Sequence, residues 1–243
     1  MQVVSCIDEM QSLAKDFRKQ GKTIGLVPTM GFLHEGHLSL VELVRNRTDV
    51  VILSIFVNST QFGIGEDLEK YPRDLTRDLD LCKDRKVDFV FAPEDSQIYP
   101  SVYSTFVSEG KVGKGLCGLA RPTHFQGVTT ICTKLFNLCM PDFVVLGQKD
   151  AQQVVVLKKM IADLNFPIEV IVGPIIRDPD GLAMSSRNEY LQPRQREGAL
   201  ALFKSMQAGK KLVEEKEVTN VERVKSEMIS ILMQSSVLRV NYV

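Results

Sequence analysis

Val27-Pro28-Thr29-Met30-Gly31-Phe32-Leu33-His34-Glu35-Gly36-His37 is the stretch that decides the fold of this chain. An apolar run ends in proline, a glycine turn follows, and a helix begins on two histidines three residues apart. Such a strand-turn-helix junction sets unpaired backbone N–H groups and the positive end of a helix dipole at the carboxyl edge of a sheet, where phosphates bind. His34 and His37 then lie one turn apart on one face, and two imidazoles there donate hydrogen bonds to a polyphosphate without the full charge of a lysine pair. That is the chemistry of nucleotidyl transfer.

Working outward, Ile7, Met10, Leu13 and Phe17 recur at helical spacing before Gly21, and residues 23–27 form an apolar run that Pro28 stops. Residues 50–57 lack polar alternation apart from Ser54, the pattern of a strand covered on both faces of a parallel sheet. Leu75, Leu79 and Cys82 mark a further amphipathic helix, and residues 88–91 a strand. Residues 104–109 read as an edge or hairpin strand, and the glycine-rich run 110–118 as a mobile loop. Helix (129–138), strand (143–147), helix (151–164) and strand (168–176) then alternate. Alternating elements with right-handed crossovers predict an α/β fold, a doubly wound, Rossmann-like parallel sheet over residues 1–182. From 183 to 243 the pattern changes to two helices and a strand over 238–243, a smaller α+β lid domain expected to be truncated because no strand follows to pair with its last one.

The chain has 243 residues, 44% of them hydrophobic and 25% charged, enough to bury a core without staples. Thirty basic residues balance thirty acidic ones, so no global field steers it toward nucleic acid or an anionic membrane. A small-molecule partner is expected. Asp8 and Glu9 stand where an export signal needs a basic and then apolar run, and the longest uncharged stretch, 50–65, carries Asn58, Ser59, Thr60 and Gln61, so no membrane span is expected. Five cysteines without a C-x-x-C pair argue against a disulfide framework or zinc ribbon and for a reducing cytoplasm. Cys132 and Cys139 read as core thiols.

Four further segments carry chemistry. Gly147-Gln148-Lys149-Asp150-Ala151-Gln152-Gln153 repeats the strand-to-helix pattern, which suits Lys149 to a phosphate, Asp150 to capping the helix and Gln153 to an inward place in the first turn; an ordinary polar turn before a capped helix is the alternative reading. Met184-Ser185-Ser186-Arg187 offers paired hydroxyls beside a guanidinium, suited to a triphosphate whose pyrophosphate gains charge as it leaves, although taken alone a surface turn explains it equally well. Asn58 and Gln61, in Phe56-Val57-Asn58-Ser59-Thr60-Gln61-Phe62, are neutral donors and acceptors suited to a hydroxy acid. Arg121 and His124, in Arg121-Pro122-Thr123-His124-Phe125-Gln126-Gly127, complete that pocket, although a solvated turn explains them equally well. Zinc needs three or four ligands, and His124 is the only histidine besides His34 and His37, so no protein metal site is expected.

Taken in order, VPTMGFLHEGH, SIFVNSTQF, YPRDL, RPTHFQGV, KLFN, GQKDAQQ and DGLAMSSRN resemble the pantothenate synthetase (pantoate-beta-alanine ligase) family, nucleotidyltransferases that carry an H-x-G-H element. The resemblance spans residues 24–191. It implies a two-step ligation: pantoate attacks the α-phosphate of ATP to give pantoyl adenylate and pyrophosphate, and beta-alanine then displaces AMP. It further implies magnesium with the ATP, and a homodimer.

Residue by residue, the resemblance puts Met30, Gly31, Phe32, Leu33, His34, Glu35, Gly36 and His37 along the ATP site, with His37 as proton donor. Gly147, Gln148, Lys149 and Asp150 would hold the nucleotide, with Lys149 countering phosphate charge. Ile176 would offer its backbone to adenine, and Met184, Ser185, Ser186 and Arg187 would form a phosphate-binding segment. Gln61 and Gln153 would clamp pantoate, with Asn58, Tyr71, Arg121 and His124 as secondary contacts. Ser59 replaces the family's proline, which is expected to loosen the loop presenting Gln61. A different nucleotidyltransferase would need more basic residues at the acceptor site than Asn58, Gln61 and Gln153 provide. A nucleotide-binding protein without catalysis, impaired by a short carboxyl domain, is the reading from another class.

Overall fold

The computed structural model describes residues 1–243 and divides into two compact units, Met1–Ile175 and Ile176–Val243. The first unit runs β1 (Gln2–Val4), α1 (Ile7–Lys19), β2 (Ile24–Thr29), α2 (Glu35–Arg45), β3 (Val50–Ile55), α3 (Leu75–Asp84) and β4 (Phe89–Phe91). It continues with α4 (Asp95–Ile98), α5 (Cys117–Ala120), α6 (His124–Cys139), β5 (Phe143–Gly147), α7 (Ala151–Asp163) and β6 (Glu169–Gly173). All six strands are parallel, in the order β1-β4-β3-β2-β5-β6. The chain builds outward from β2 through β3 to β4, then returns to lay β5 and β6 on the other side of β2. The strand order therefore reverses between β2 and β5, and the crevice beyond their carboxyl ends is the ligand position of an open α/β sheet.

Strand alternation explains why these runs are apolar throughout. Ile24, Leu26, Val50, Ile52, Val144 and Leu146 face one core with Met10 and Phe17 of α1, Val128 and Leu135 of α6, and Leu157 of α7. Their neighbours Val27, Val51, Leu53 and Val145 face a second core with Leu38, Val41 and Val44 of α2 and Cys82 of α3. Each such side chain contributes roughly 1.5–3 kcal/mol on burial. At Gly25 the second layer comes so near that an added Cβ would stand 2.4 Å from Cγ2 of Val44.

Several expectations need correction. Gln2–Val4 forms an edge strand that three mostly exposed residues did not announce. Strand β2 runs on through Pro28 to Thr29: the Phe56 N–H donates to the Thr29 carbonyl at 3.1 Å, and the Thr29 hydroxyl donates to the Ser54 carbonyl at 2.7 Å. Residues 104–109 form no strand; the extended chain is held by the Thr129 and Thr130 hydroxyls, which bond Val107. The run 110–118 is tied down at both ends. Glu109 accepts from the N–H groups of Lys111 and Gly113, and Gln152 donates to the carbonyls of Val112 and Gly115. No helix is long and apolar enough to cross a membrane.

The second unit begins at Ile176, so the turn at 178–181 belongs to it. Arg196 bonds Asp178 and Asp180, and an added Cβ at Gly181 (φ +96°) would meet the Phe203 ring at 2.5 Å. Its bulk is α8 (Pro193–Glu214) against α9 (Val221–Met233). Gly209 lies beneath Met228 and Val224 while Gly198 meets Ser235 and Val237, so the two helices run antiparallel. Residues 238–243 form no strand, which corrects that expectation.

Candidate active site

The glycine turn after β2 takes a left-handed course through Gly31 (φ +83°) and Phe32 (φ +49°). A Cβ at Gly31 would stand 2.9 Å from Ile55 Cγ2 and 3.1 Å from Asp78 Oδ2, so only glycine fits there. The backbone N–H groups of this turn are not open to a phosphate, as the junction alone suggested. Gly31 N–H donates to Thr29 Oγ1 at 3.2 Å, and Phe32 and Leu33 donate to the two carboxylate oxygens of Asp78 at 2.7 Å each.

His34 caps α2, its Nδ1 accepting the Gly36 N–H at 3.1 Å. This bond requires an unprotonated Nδ1 and leaves the ring proton on Nε2. The His37 ring lies 4.0 Å from it, centroid to centroid. His37 Nδ1 is sealed from solvent with no hydrogen-bond partner. Burial above all, then the charges of His34 and Lys149, push the His37 pKa down to about 3, so the imidazole is neutral across the physiological range. Lys149 lies in the turn directly after β5, at a strand end that borders the point where the strand order reverses.

Residues 148–150 make one 3-10 turn before α7. Asp150 occupies the N-cap without a side-chain capping bond, contrary to expectation; its carboxylate lies 3.6 Å from Lys149 Nζ instead. Gln153 sits half-buried in the first turn of α7. Its neighbour Gln152 is the one engaged in the scaffold, holding the 112–117 backbone through both ends of its amide.

The neutral cluster is tightly wired. Asn58 Nδ2 donates to Gln61 Oε1 at 3.0 Å and to the Gly127 carbonyl at 3.1 Å, while Tyr99 and Thr60 donate to Asn58 Oδ1 at 2.7 and 3.0 Å. Gln61 Nε2 reaches Met30 Sδ at 3.0 Å, which joins this cluster to the glycine turn. Arg121 pairs with both oxygens of Glu66, holding that carboxyl below its usual range, and His124 Nδ1 meets the Gln61 carbonyl at 3.0 Å. Arg121 and His124 therefore brace the loop that carries Gln61. Tyr71 is buried, with its ring edge against Phe62.

In the second unit, Ser185 caps the 3-10 turn at 186–190 by accepting from the Arg187 N–H at 3.3 Å, and Ser186 is buried. The Ile176 carbonyl accepts the Met184 N–H at 3.0 Å.

The family model described as pantoate-beta-alanine ligase matches residues 2–243. The chain belongs to the pantoate-beta-alanine ligase family. Its relatives include the pantothenate synthetase of Thermosipho africanus, 49% identical over all of this chain and 87% of the relative, and that of Thermotoga neapolitana, 50% identical over all of this chain and 86% of the relative. The crystal structure of pantothenate synthetase from Thermus thermophilus superposes with a TM-score of 0.93 at 39% identity, covering all of this chain and 86% of that one. A ligase from Francisella tularensis, described as complexed with beta-gamma ATP and beta-alanine, superposes with a TM-score of 0.83 at 34% identity over 95% of this chain and 86% of that one. Ligation of pantoate to beta-alanine is the activity of this ligase, and binding without catalysis is not favoured.

Motif reading missed Asp78, Gln152, Tyr99 and Glu66 in the ligase. Asp78 alone left a signal, a carboxylate on the apolar stripe of Leu75, Leu79 and Cys82.

Proposed function

We propose that the ligase works through pantoyl adenylate. A pantoate carboxylate oxygen forms a bond to the α-phosphorus of ATP as the bond to pyrophosphate breaks. The beta-alanine amine then bonds to the acyl carbon, AMP leaves with the C–O electron pair, and the amine gives up a proton. The observation that carries this reading is the contact of Gln61 with Met30, which sets the neutral cluster against the histidine turn beside the β2–β5 crevice. The Francisella neighbour described as complexed with beta-gamma ATP and beta-alanine supports both as substrates here.

In this reading, His34 and neutral His37 donate hydrogen bonds to phosphate oxygens, and Lys149 balances the charge that grows as pyrophosphate leaves. Gly147, Gln148 and Asp150 shape the nucleotide side of the crevice. Gln61, Gln153 and Asn58 bind pantoate, with Tyr71, Arg121 and His124 behind them. Ile176 and residues 184–187 contribute adenine and phosphate contacts by family resemblance. Magnesium, which the family resemblance implies, would enter with ATP and counter the charge of its phosphates. Five unpaired cysteines support a cytoplasmic setting, and we assign a homodimer, which light scattering tests directly.

Rapid-quench assays test the order of events. Pantoate, ATP and magnesium without beta-alanine should release pyrophosphate in a single turnover, with AMP appearing only when beta-alanine is added. AMP release without the amine, or no pyrophosphate until it is added, overturns the adenylate reading.

A further inference from the structure

The turn formed by Gly31, Phe32 and Leu33 is a nest: consecutive backbone N–H groups made to converge by left-handed conformations, a concavity that attracts anions. Here the anion comes from the chain itself. Asp78, on α3 and 1% exposed, fills the nest with both carboxylate oxygens at 2.7 Å. Arg77 closes it from the solvent side, its Nη1 3.5 Å from Asp78 Oδ1 and its guanidinium 5.0 Å over the Phe32 ring. The helix turn carrying both is anchored by Asp74, which accepts the Arg77 N–H at 3.0 Å. Burying a carboxylate on an apolar helix face is costly, and burial raises the Asp78 carboxyl above its usual range; the two backbone bonds and Arg77 pull the other way and offset part of that cost. Leu33, whose N–H is held, is fully buried and directly precedes His34, the N-cap of α2.

We propose that Asp78 is the positioning residue of the histidine pair: by occupying the nest it sets the start of α2 and so the placement of His34 and His37 toward the nucleotide. The proposal rests on the phosphate role assigned above to those histidines. It also gives the nest a reason to be closed to ATP, since a phosphate bound at Phe32 and Leu33 would have to displace a buried carboxylate.

The test is a double-mutant cycle with Asp78→Asn and His37→Gln. Asn offers one acceptor but turns an NH2 group toward the other N–H. Asp78→Asn should lower kcat about 10- to 100-fold while the KM of each substrate stays within about threefold, the scale of a small misplacement of reacting groups. The double variant should lose clearly less than the product of the two single losses, because part of the Asp78 effect runs through His37 and the rest through His34. A fully multiplicative loss, or folded Asp78→Asn with kcat within about threefold of wild type, overturns the proposal. If His37→Gln keeps wild-type kcat, the histidine reading itself fails; if it loses kcat and Asp78→Asn does not, only the positioning role fails. Should Asp78→Asn not fold, Arg77→Met at the surface serves instead, with kcat lowered about three- to tenfold at unchanged KM. Unchanged kcat in that variant is equally decisive against the proposal.

Discussion

The imidazole rings of His34 and His37 lie 4.0 Å apart with their planes inclined by 36°, one ring capping the helix and the other holding its Nδ1 buried without a partner. Two protonated imidazoles at that separation would repel strongly in a desolvated site. With the His37 pKa pushed down to about 3 from an ordinary 6.5, the folded protein keeps this ring neutral while the unfolded chain protonates it below pH 6.5. Its contribution to stability is therefore full above pH 6.5 and is lost progressively as pH falls toward 3. Nitrogen-detected NMR should show no His37 titration between about pH 5 and 8. A midpoint near 6.5 would contradict the burial described.

Lys149 supplies the cation nearest the reacting phosphate in this reading. Lys149→Ala should slow adenylate formation by at least about 100-fold, as removal of one transition-state donor does. Single-turnover pyrophosphate release measures it, and a near wild-type rate would take Lys149 out of the mechanism.

Gln61 is committed to the neutral cluster through Asn58 and Met30. Gln61→Ala should weaken pantoate binding by about tenfold or more, with ATP affinity almost unchanged, since a buried amide partner is lost. Isothermal titration with each substrate separates the two, and a loss confined to ATP would reverse the pocket assignment.

Gly127 of α6 meets the Gln61 loop with no room to spare: an added Cβ would stand 2.5 Å from Gln61 Cα and 2.6 Å from its N. Gly127→Ala should displace that loop, costing about 1–3 kcal/mol of stability from overpacking. The KM for pantoate should rise more than that for ATP. Thermal unfolding and steady-state kinetics check both, and an unaltered melting temperature would argue against this close packing.

The Ser59 hydroxyl donates to Asp95 Oδ1 at 2.8 Å. This bond ties the loop to the start of α4. Ser59→Ala should raise the KM for pantoate by about threefold, the equivalent of one hydrogen bond of roughly 0.5–1 kcal/mol. Asp95→Asn should leave part of the effect, because an amide still accepts.

Much of the site was legible because its chemistry is local. Lys149 and the His34–His37 pair follow apolar runs directly, and a parallel sheet delivers the ends of such runs to one edge. Arg121 and His124 were legible as residues but not as braces, because Glu66 and the Gln61 carbonyl lie far from them along the chain. The three-residue β1 escaped because its pairing with β4 is made across the fold and depends on no periodicity of its own.

The periodicity and strand-end residues of the chain by themselves determined a parallel α/β sheet and the side chains gathered at its carboxyl edge. Only the tertiary structure decided who satisfies the backbone of the glycine turn, and the answer is Asp78, not a phosphate. The reason is physical. A turn exposes its N–H groups through local geometry, whereas the acceptor that fills them arrives from another helix, packed there by a hydrophobic core that no short motif encodes.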